Sequence, residues 1–401
     1  MVPGWTVVCR AAASLLPACY NFLPADNRHR HFSQWRQPDH SYRRLALPIP
    51  LSPLRKVRPT VADTPPRTLS PHNSLPPVEP PSAAFIVQLF LVPGLIVAII
   101  VCVWLAFHWL AHLGNDPQAY VRTLRRDNEG RWQAALNLAN DLRGPGGGAL
   151  KSDEGLAREL GRILTDESAS GRTGEQSQML RVYLCRALGE FSVPTALPPL
   201  VAQAQAVAEP LSARAAVEAI AVLATNLIAA GRDVGGSDTT AAVITASRSD
   251  DAQLRSAAAF TLGVVGSGSG TSDQAATQRL AQLVSDPSDD VRYNAALALA
   301  RLGNDLALET LGEMLDLPDT AIPAEKARDD AAQSKRYKRA LVVLNALRGV
   351  ALLADTTHAA PPAAIMERVG KLAQDPVGDV RAAAAALATK IERLSATPAG
   401  T

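Results

Sequence analysis

A pair of histidines, His108 and His112, has the spacing that places two imidazoles on one face of a helix. Such a pair can bind haem or a metal ion, because imidazole nitrogen is a common metal ligand. No glutamate separates the two histidines, as it would in a metalloprotease helix. Trp109 lies beside them at the end of a long apolar run, and this composition is more typical of a membrane interface. We therefore predict no metal site and no cofactor here.

The glycine cluster at 144–152, GPGGGALKS, has some features of a phosphate-binding loop. That loop requires a glycine directly before its lysine, whereas Leu150 precedes Lys151 here. No strand is predicted ahead of the cluster. The pattern therefore favours a connector between two helices.

The sequence offers no convincing nucleophilic site. Four cysteines lack the CxxC spacing of redox and zinc sites, and they lie at positions 9, 19, 102 and 185. His358 is the single histidine after residue 116, so Ser-His-Asp and Cys-His arrangements are not expected. We predict no catalytic residues and no small-molecule substrate.

One basic cluster surrounds Tyr337. It consists of Lys335, Arg336, Lys338 and Arg339. Such a patch can bind acidic lipid headgroups, nucleic acid or an acidic segment of a partner. Asp329 and Asp330 partly balance its charge, which favours the solvated first turns of a helix instead.

The net charge argues against general binding of polyanions. The whole chain carries +2, but residues 1–83 carry +6 and residues 115–401 carry −4. The part that is expected to fold is therefore mildly acidic, and nucleic acid is an unlikely partner.

Residues 83–114 form an apolar run, and no charged residue occurs between Glu79 and Asp116. A membrane core requires about 20 apolar residues at 1.5 Å per residue, which this run exceeds. The sequence predicts a single transmembrane helix over 83–114. Arginines follow it closely at positions 122, 125, 126 and 131, which places the C-terminal part in the cytoplasm. The opposite orientation follows if the more distant arginines of the N-terminal tail are counted.

Residues 1–82 are rich in Pro, Arg, Ser and His and lack apolar periodicity. Such a composition cannot bury enough apolar surface to fold, so we predict a disordered tail. A second hypothesis is that translation begins downstream, at a non-Met start codon near Leu69. Residues 397–401 are also expected to be disordered.

The remaining residues, 116–396, contain a repeated pattern. DPSDDVRYNAALALARLG begins at Asp286, and DPVGDVRAAAAALATKIE begins at Asp375. Alignment on the arginine of these segments extends the pattern to seven positions, which are Arg131, Arg181, Arg214, Arg255, Arg292, Arg336 and Arg381. Most of the spacings fit units of two helices, and units of this kind are stable only when they are stacked. We expect the Asp-Pro pairs to end one helix, Asp289, Asp290 and Asp379 to cap the next, and Gly303 to close it.

These units resemble HEAT repeats, in particular the short bacterial type called PBS-lyase HEAT-like repeats. The resemblance implies an all-α fold, an α-α superhelix of about seven units. It also implies that the Asp and Arg of D-x-V-R form a ladder between units, which assigns Asp290 with Arg292 and Asp379 with Arg381. Some HEAT-repeat enzymes are iron-dependent hydroxylases with several His-Glu pairs, and the single histidine here argues against that activity.

The sequence therefore favours a non-catalytic scaffold that is anchored in a membrane and binds a protein partner. The alternative is a bilin-lyase-like enzyme or an enzyme-assembly factor, which the resemblance suggests but which no motif supports.

Overall fold

The structure is a computed structural model that describes residues 83–113, 117–126, 128, 130–144, 146–234, 236–268, 273–318 and 330–396. The predicted tail at 1–82 and the predicted disordered end at 397–401 lie outside these residues. The chain divides after Leu113 into two compact parts, which are described separately.

The first part is one helix, α1 (Ala83–Leu113), which has 31 residues and contains Pro93. Every described side chain of α1 is exposed, including those of Leu91 at 60% and Phe107 at 67%. The imidazoles of His108 and His112 lie outside the described side chains.

The second part is entirely helical in its described residues, which confirms the predicted all-α repeat fold. Fourteen helices alternate between two layers and form seven described pairs. The first helix of each pair, an A helix, is α2 (Pro117–Arg125), α4 (Glu154–Ala169), α6 (Leu197–Ala204), α8 (Gly236–Ala246), α10 (Gln274–Leu283), α12 (Ala307–Leu315) or α14 (Ala363–Lys371). The second, a B helix, is α3 (Arg131–Arg143), α5 (Glu175–Gly189), α7 (Pro210–Ala229), α9 (Ala252–Gly268), α11 (Asp289–Arg301), α13 (Asp330–Thr357) or α15 (Gly378–Ala396).

Small residues let successive B helices pack closely. A Cβ atom placed on Gly189 of α5 would lie 2.9 Å from the Cα of Ala219 in α7. A Cβ atom on Gly263 of α9 would lie 2.6 Å from the Cβ of Ala298 in α11. The backbones at these crossings are therefore near the short end of the range for packed helices.

Aliphatic side chains fill the space between the two layers. Leu138, Leu188, Leu262 and Leu299 are completely buried, and each lies seven residues after an aligned arginine. The helices α7 and α13 have the length and apolar composition to cross a membrane, but 61% and 50% of their most apolar windows are buried in the repeat stack. Their role in the core accounts for that composition.

The helix ends follow local rules at some positions and depart from the predicted caps at others. Gly303 ends α11 with a φ of +71°, and the amide of Asn304 donates to the carbonyl of Leu299 at 2.9 Å. A glycine tolerates this left-handed conformation without steric cost. Ser288 occupies the position before α11, so Asp289 and Asp290 lie inside its first turn rather than at the cap.

We expect Gly263→Ala to lower the free energy of unfolding by about 1–3 kcal/mol, because the added methyl group would overlap the backbone of Ala298 and force α9 and α11 apart. Urea unfolding followed by circular dichroism measures the change.

Gly370→Ala in α14 is the matched control, since a Cβ at Gly370 meets no atom within 4 Å. This variant should be neutral or slightly stabilising, because alanine has the higher helix propensity. Equal destabilisation by both variants would contradict the close B-helix crossing.

Candidate functional site

A ladder of ion pairs joins successive helix pairs. Each rung joins a largely buried arginine of one B helix, with at most 15% of its side chain exposed, to a carboxylate of the next helix pair. The rungs are Arg131–Glu167 (2.9 Å), Arg181–Glu209 (3.1 Å), Arg255–Asp286 (2.8 Å) and Arg339–Asp375 (2.6 Å). We call these eight residues the arginine ladder.

The Asp286 rung shows how the ladder is built. The guanidinium of Arg255 donates to both carboxylate oxygens of Asp286, at 2.8 and 2.9 Å. The same carboxylate accepts from the amide of Ser288 at 2.9 Å, and the carbonyl of Asp286 accepts from Arg292 at 3.3 Å. The turn before α11 is thus held both by its own arginine and by the arginine of the preceding pair.

The Asp375 rung repeats this arrangement. Arg339 contacts the carboxylate of Asp375, the amide of Val377 donates to it at 2.9 Å, and Arg381 donates to the carbonyl of Asp375 at 2.6 Å. In both rungs the acid lies six residues before the aligned arginine, where it also precedes a proline. The Asp-Pro repeat therefore marks the acids of these two rungs in the sequence, in addition to marking the end of a helix.

The ladder assigned from the resemblance differs from the observed one in its acids. Asp290 lies in the first turn of α11, where its carbonyl accepts from Ser256 Oγ at 3.1 Å. Arg292 pairs with Asp289 at 2.9 Å and with Glu313 at 2.8 Å. The side chain of Asp379 is exposed at the start of α15. These two rungs run through Asp286 and Asp375 because both acids lie in the turn before a B helix, where they reach the arginine of the preceding pair.

Arg381 is the corresponding arginine of the last described B helix. Its side chain is exposed, since no described helix follows α15. It binds the carbonyl of its own turn but has no described acid of a following pair to contact.

The carboxylates of Asp286, Asp375 and Glu167 are stabilised in their charged form. Burial alone would raise the pKa of Asp286, but the hydrogen bonds from Arg255 and the Ser288 amide, with the charge of Arg279, lower it below its ordinary value. The pKa of Asp375 is lowered against burial in the same way, by Arg339, the Val377 amide and the charge of Arg336.

Glu167 is the most deeply buried acid of the ladder, with 1% of its surface exposed. Arg131 contacts it at 2.9 Å, Arg172 at 2.6 Å, and Ser177 Oγ also donates to it. Burial raises its pKa, but these hydrogen bonds and the two arginine charges outweigh burial and lower the pKa overall.

The residues of the predicted basic patch differ in their exposure. Lys335 and Lys338 are exposed, as is Tyr337 at 60%, and Arg336 is partly buried. Arg339 is only 10% exposed in its side chain, because it belongs to the ladder. Arg339 therefore takes the place in the ladder that the sequence alignment assigned to Arg336, which lies three residues earlier in the chain.

One stripe of each B helix is only partly covered by the A layer and the neighbouring B helices. In α11, Asn294, Leu297 and Arg301 are the only residues of 294–301 that are not buried. We call the row of these stripes the B face. Its central residues in six of the B helices each lie five positions after the arginine of that helix, and they are Leu136, Arg186, Phe260, Leu297, Leu344 and Ala386.

The B face of the first three pairs carries an aromatic and charged cluster. Trp132 and Tyr183 stack with their ring centroids 6.0 Å apart, and Arg186 lies 5.3 Å from the Tyr183 centroid. Arg214 approaches Glu218 at 3.7 Å. Burial raises the pKa of Glu218, and the charges of Arg214 and Arg186 only partly oppose this effect. Such a cluster can bind a side chain or a peptide amide.

The described residues offer no obvious site for a metal ion. They contain no group of three or more His, Cys, Asp or Glu side chains that could hold a metal ion. Cys185 is completely buried, and burial raises the pKa of its thiol, so it packs as a small apolar side chain.

The family comparison agrees with the architecture. Residues 240–329 match the family model described as HEAT repeats. The chain therefore contains HEAT repeats. The matched segment includes α9, α10, α11 and α12, and therefore the Arg255–Asp286 rung. No curated protein matches this HEAT-repeat protein significantly.

Two solved structures were found to be similar. An engineered protein is 16% identical, and the match covers 70% of this chain and 98% of that chain with a TM-score of 0.31. Human deoxyhypusine hydroxylase, in a complex with glycerol, is 17% identical, and the match covers 69% of this chain and 96% of that chain with a TM-score of 0.26. At these TM-scores neither similarity supports an argument about the HEAT-repeat protein.

Asp286→Asn in this HEAT-repeat protein should lower the free energy of unfolding by about 2–3 kcal/mol, because it removes the charge that Arg255 contacts in a largely buried rung. The difference from the unsubstituted protein should shrink in acid. Since the folded pKa of Asp286 lies below the unfolded value of about 3.9, the rung contributes fully above that pH and is lost as the pH falls through the folded pKa.

Urea unfolding at neutral and acidic pH measures both effects. Glu367→Gln is the control, because Glu367 forms an exposed pair with Lys371 in the same helix. This control should change stability by less than about 0.5 kcal/mol. An Asp286→Asn variant as stable as the control at neutral pH would show that the rung contributes nothing.

Proposed function

We propose that this HEAT-repeat protein is a membrane-anchored scaffold that binds a protein partner along its B face. The B face carries the proposal, because it is a row of stripes that the packing leaves partly exposed on the B helices. Stacked repeats of this kind offer extended surfaces for recognition of other proteins.

The chemistry of the B face supports binding more than catalysis. It alternates apolar, amide and charged side chains, as interfaces between proteins do. One depression on it, about 570 Å³ in volume, is open and is lined by residues of α15 alone, including Ala386 and Lys390. A surface of this kind suits an elongated segment better than a small substrate, which usually binds in a concave pocket.

The membrane anchor rests on α1. A helix of 31 residues would be about 46 Å long at 1.5 Å per residue, which exceeds the apolar core of a bilayer of about 30 Å. Its described side chains from Leu91 to Phe107 are apolar and exposed. Burial in lipid would satisfy this surface. We propose one membrane crossing, with the repeats in the cytoplasm on the basis of the arginines that follow α1.

The full chain should remain in the membrane pellet after extraction with alkaline carbonate. The double substitution Val97→Arg and Val101→Arg should release a large fraction, since each arginine at the centre of a span costs about 2.5–3.5 kcal/mol. The matched control replaces Ile228 and Leu306, two exposed apolar residues of the repeats, by arginine and should stay in the pellet. Release of the unsubstituted chain by carbonate would refute the anchor.

A photo-crosslinking amino acid at Asn345 of the B face should capture one reproducible protein partner in intact membranes. The same amino acid at Arg158, an exposed position of the A helix α4, is the control and should capture much less. Mass spectrometry identifies the products. Equal labelling from both positions would count against a B-face scaffold.

A further inference from the structure

Arg186 of α5 and Glu218 of α7 form an incomplete pair of charges on the B face. The charge of Arg186 acts on Glu218, yet within the described residues the two side chains form no ion pair with each other. The carboxylate of Glu218 approaches only Arg214, at 3.7 Å, which is too long for a hydrogen bond. Arg186 lies over the ring of Tyr183, and its buried Nε has no hydrogen-bond partner in the described part of the chain. Both charges therefore retain unused hydrogen-bonding capacity.

Other enclosed acids of the stack are satisfied, whereas Glu218 is not. Asp286 accepts from Arg255 and from the amide of Ser288, and Glu167 accepts from two arginines and a serine. Their charged forms are stabilised as a result. Burial is the main influence on Glu218 and raises its pKa. A partly buried carboxylate without donors opposes folding, so packing of the stack does not account for its presence.

Aromatic side chains lie on both sides of the two charges. Trp132 and Tyr183 stack on the side of α3, with their ring centroids 6.0 Å apart. On the opposite side, the hydroxyl of Thr261 in α9 donates at 3.0 Å to the carbonyl of the residue before Glu218. Phe260, which is partly exposed, therefore lies at the same level of the stack as Glu218. We call this surface the mixed patch, and it consists of Trp132, Tyr183, Arg186, Glu218 and Phe260.

The two charges favour a neutral polar ligand. A carboxylate that faces Arg186 would also lie near the like charge of Glu218. An ammonium group that faces Glu218 would also lie near Arg186 and Arg214. A carboxamide carries no net charge, and it offers a carbonyl acceptor for the guanidinium and an N–H donor for the carboxylate. Hydrogen bonds to charged groups are stronger than those between neutral groups.

We propose that the mixed patch binds an extended segment of a protein partner through the side-chain carboxamide of a glutamine or an asparagine. The guanidinium of Arg186 donates to the amide carbonyl, and the carboxylate of Glu218 accepts from the amide N–H. Apolar residues on either side of the carboxamide contact the rings of Tyr183 and Phe260. This proposal rests on the proposed scaffold function and names the chemistry of the partner.

Four peptides that differ in one residue test the proposal by fluorescence anisotropy, with the full chain in detergent micelles. Each is a fluorescein-labelled Pro-Leu-X-Leu-Pro segment in which X is glutamine, glutamate, lysine or alanine, and the prolines keep it extended. The glutamine peptide should bind several-fold more tightly than the other three, because only its central side chain can hydrogen-bond both charges.

Arg186→Met and Glu218→Met should each weaken binding of the glutamine peptide about tenfold, since each removes a hydrogen bond to a charged group. The matched controls are Arg158→Met and Glu154→Met, which make the same charge changes in an exposed pair of the A helix α4. Each control should alter binding less than about twofold.

Melting followed by circular dichroism separates binding from folding. Glu218→Met should not lower the melting temperature, because burial disfavours the charge that this substitution removes. A lower melting temperature together with weaker binding would assign Glu218 to the fold and overturn the proposal.

The proposal is also overturned if the glutamine peptide does not bind, or if the alanine peptide binds equally well, which would indicate recognition of the peptide backbone alone. Tighter binding of the glutamate or the lysine peptide would make the mixed patch a site for an anion or a cation instead. Capture of a partner by the crosslinker at Asn345 without any peptide binding would leave the scaffold standing and remove only the carboxamide chemistry.

Discussion

Close contact between successive B helices is the constraint on which the repeat stack depends. The crossings of Gly189 with Ala219 and of Gly263 with Ala298 leave no room for a larger side chain. A single pair of helices exposes apolar surface toward both of its neighbours, so it gains most of its stability from stacking. Alanine-rich B helices follow from this requirement, because small side chains bring more backbone and methyl surface into contact than long side chains at the same positions would allow.

The arginine ladder fixes the relative orientation of neighbouring helix pairs, which apolar packing alone does not. Apolar contacts between alanines tolerate rotation and sliding, whereas a bidentate pair such as Arg255 with Asp286 accepts one arrangement. Burial makes this geometric requirement strict. Arg181 and Glu167 are each only 1% exposed, and either charge, if buried without its partner, would destabilise the folded state. The ladder therefore penalises a misplaced helix pair more than it stabilises a correct one.

These two interactions together decide where recognition can occur. Each B helix uses one side against its A helix and two sides against the neighbouring B helices, and only the B face is left. Substitution on this face is compatible with the fold, so its chemistry can differ along the stack. The first pairs carry the stacked rings of Trp132 and Tyr183, and the last pairs carry leucines beside Arg301 and Arg348. One fold thus presents surfaces of two different chemical characters.

The sequence by itself determined the all-α repeat, because helical periodicity and the recurring DVR segments are local properties of the chain. It also marked the arginines as the aligned positions. Only the tertiary structure decided which acids they contact, Asp286 and Asp375 rather than Asp290 and Asp379, and which arginine of the sixth pair, Arg339 rather than Arg336, occupies the ladder. The reason is that an ion pair between neighbouring helix pairs depends on their relative rotation and on the path of the turn before each B helix. Neither quantity is encoded in the spacing of residues within a single helix.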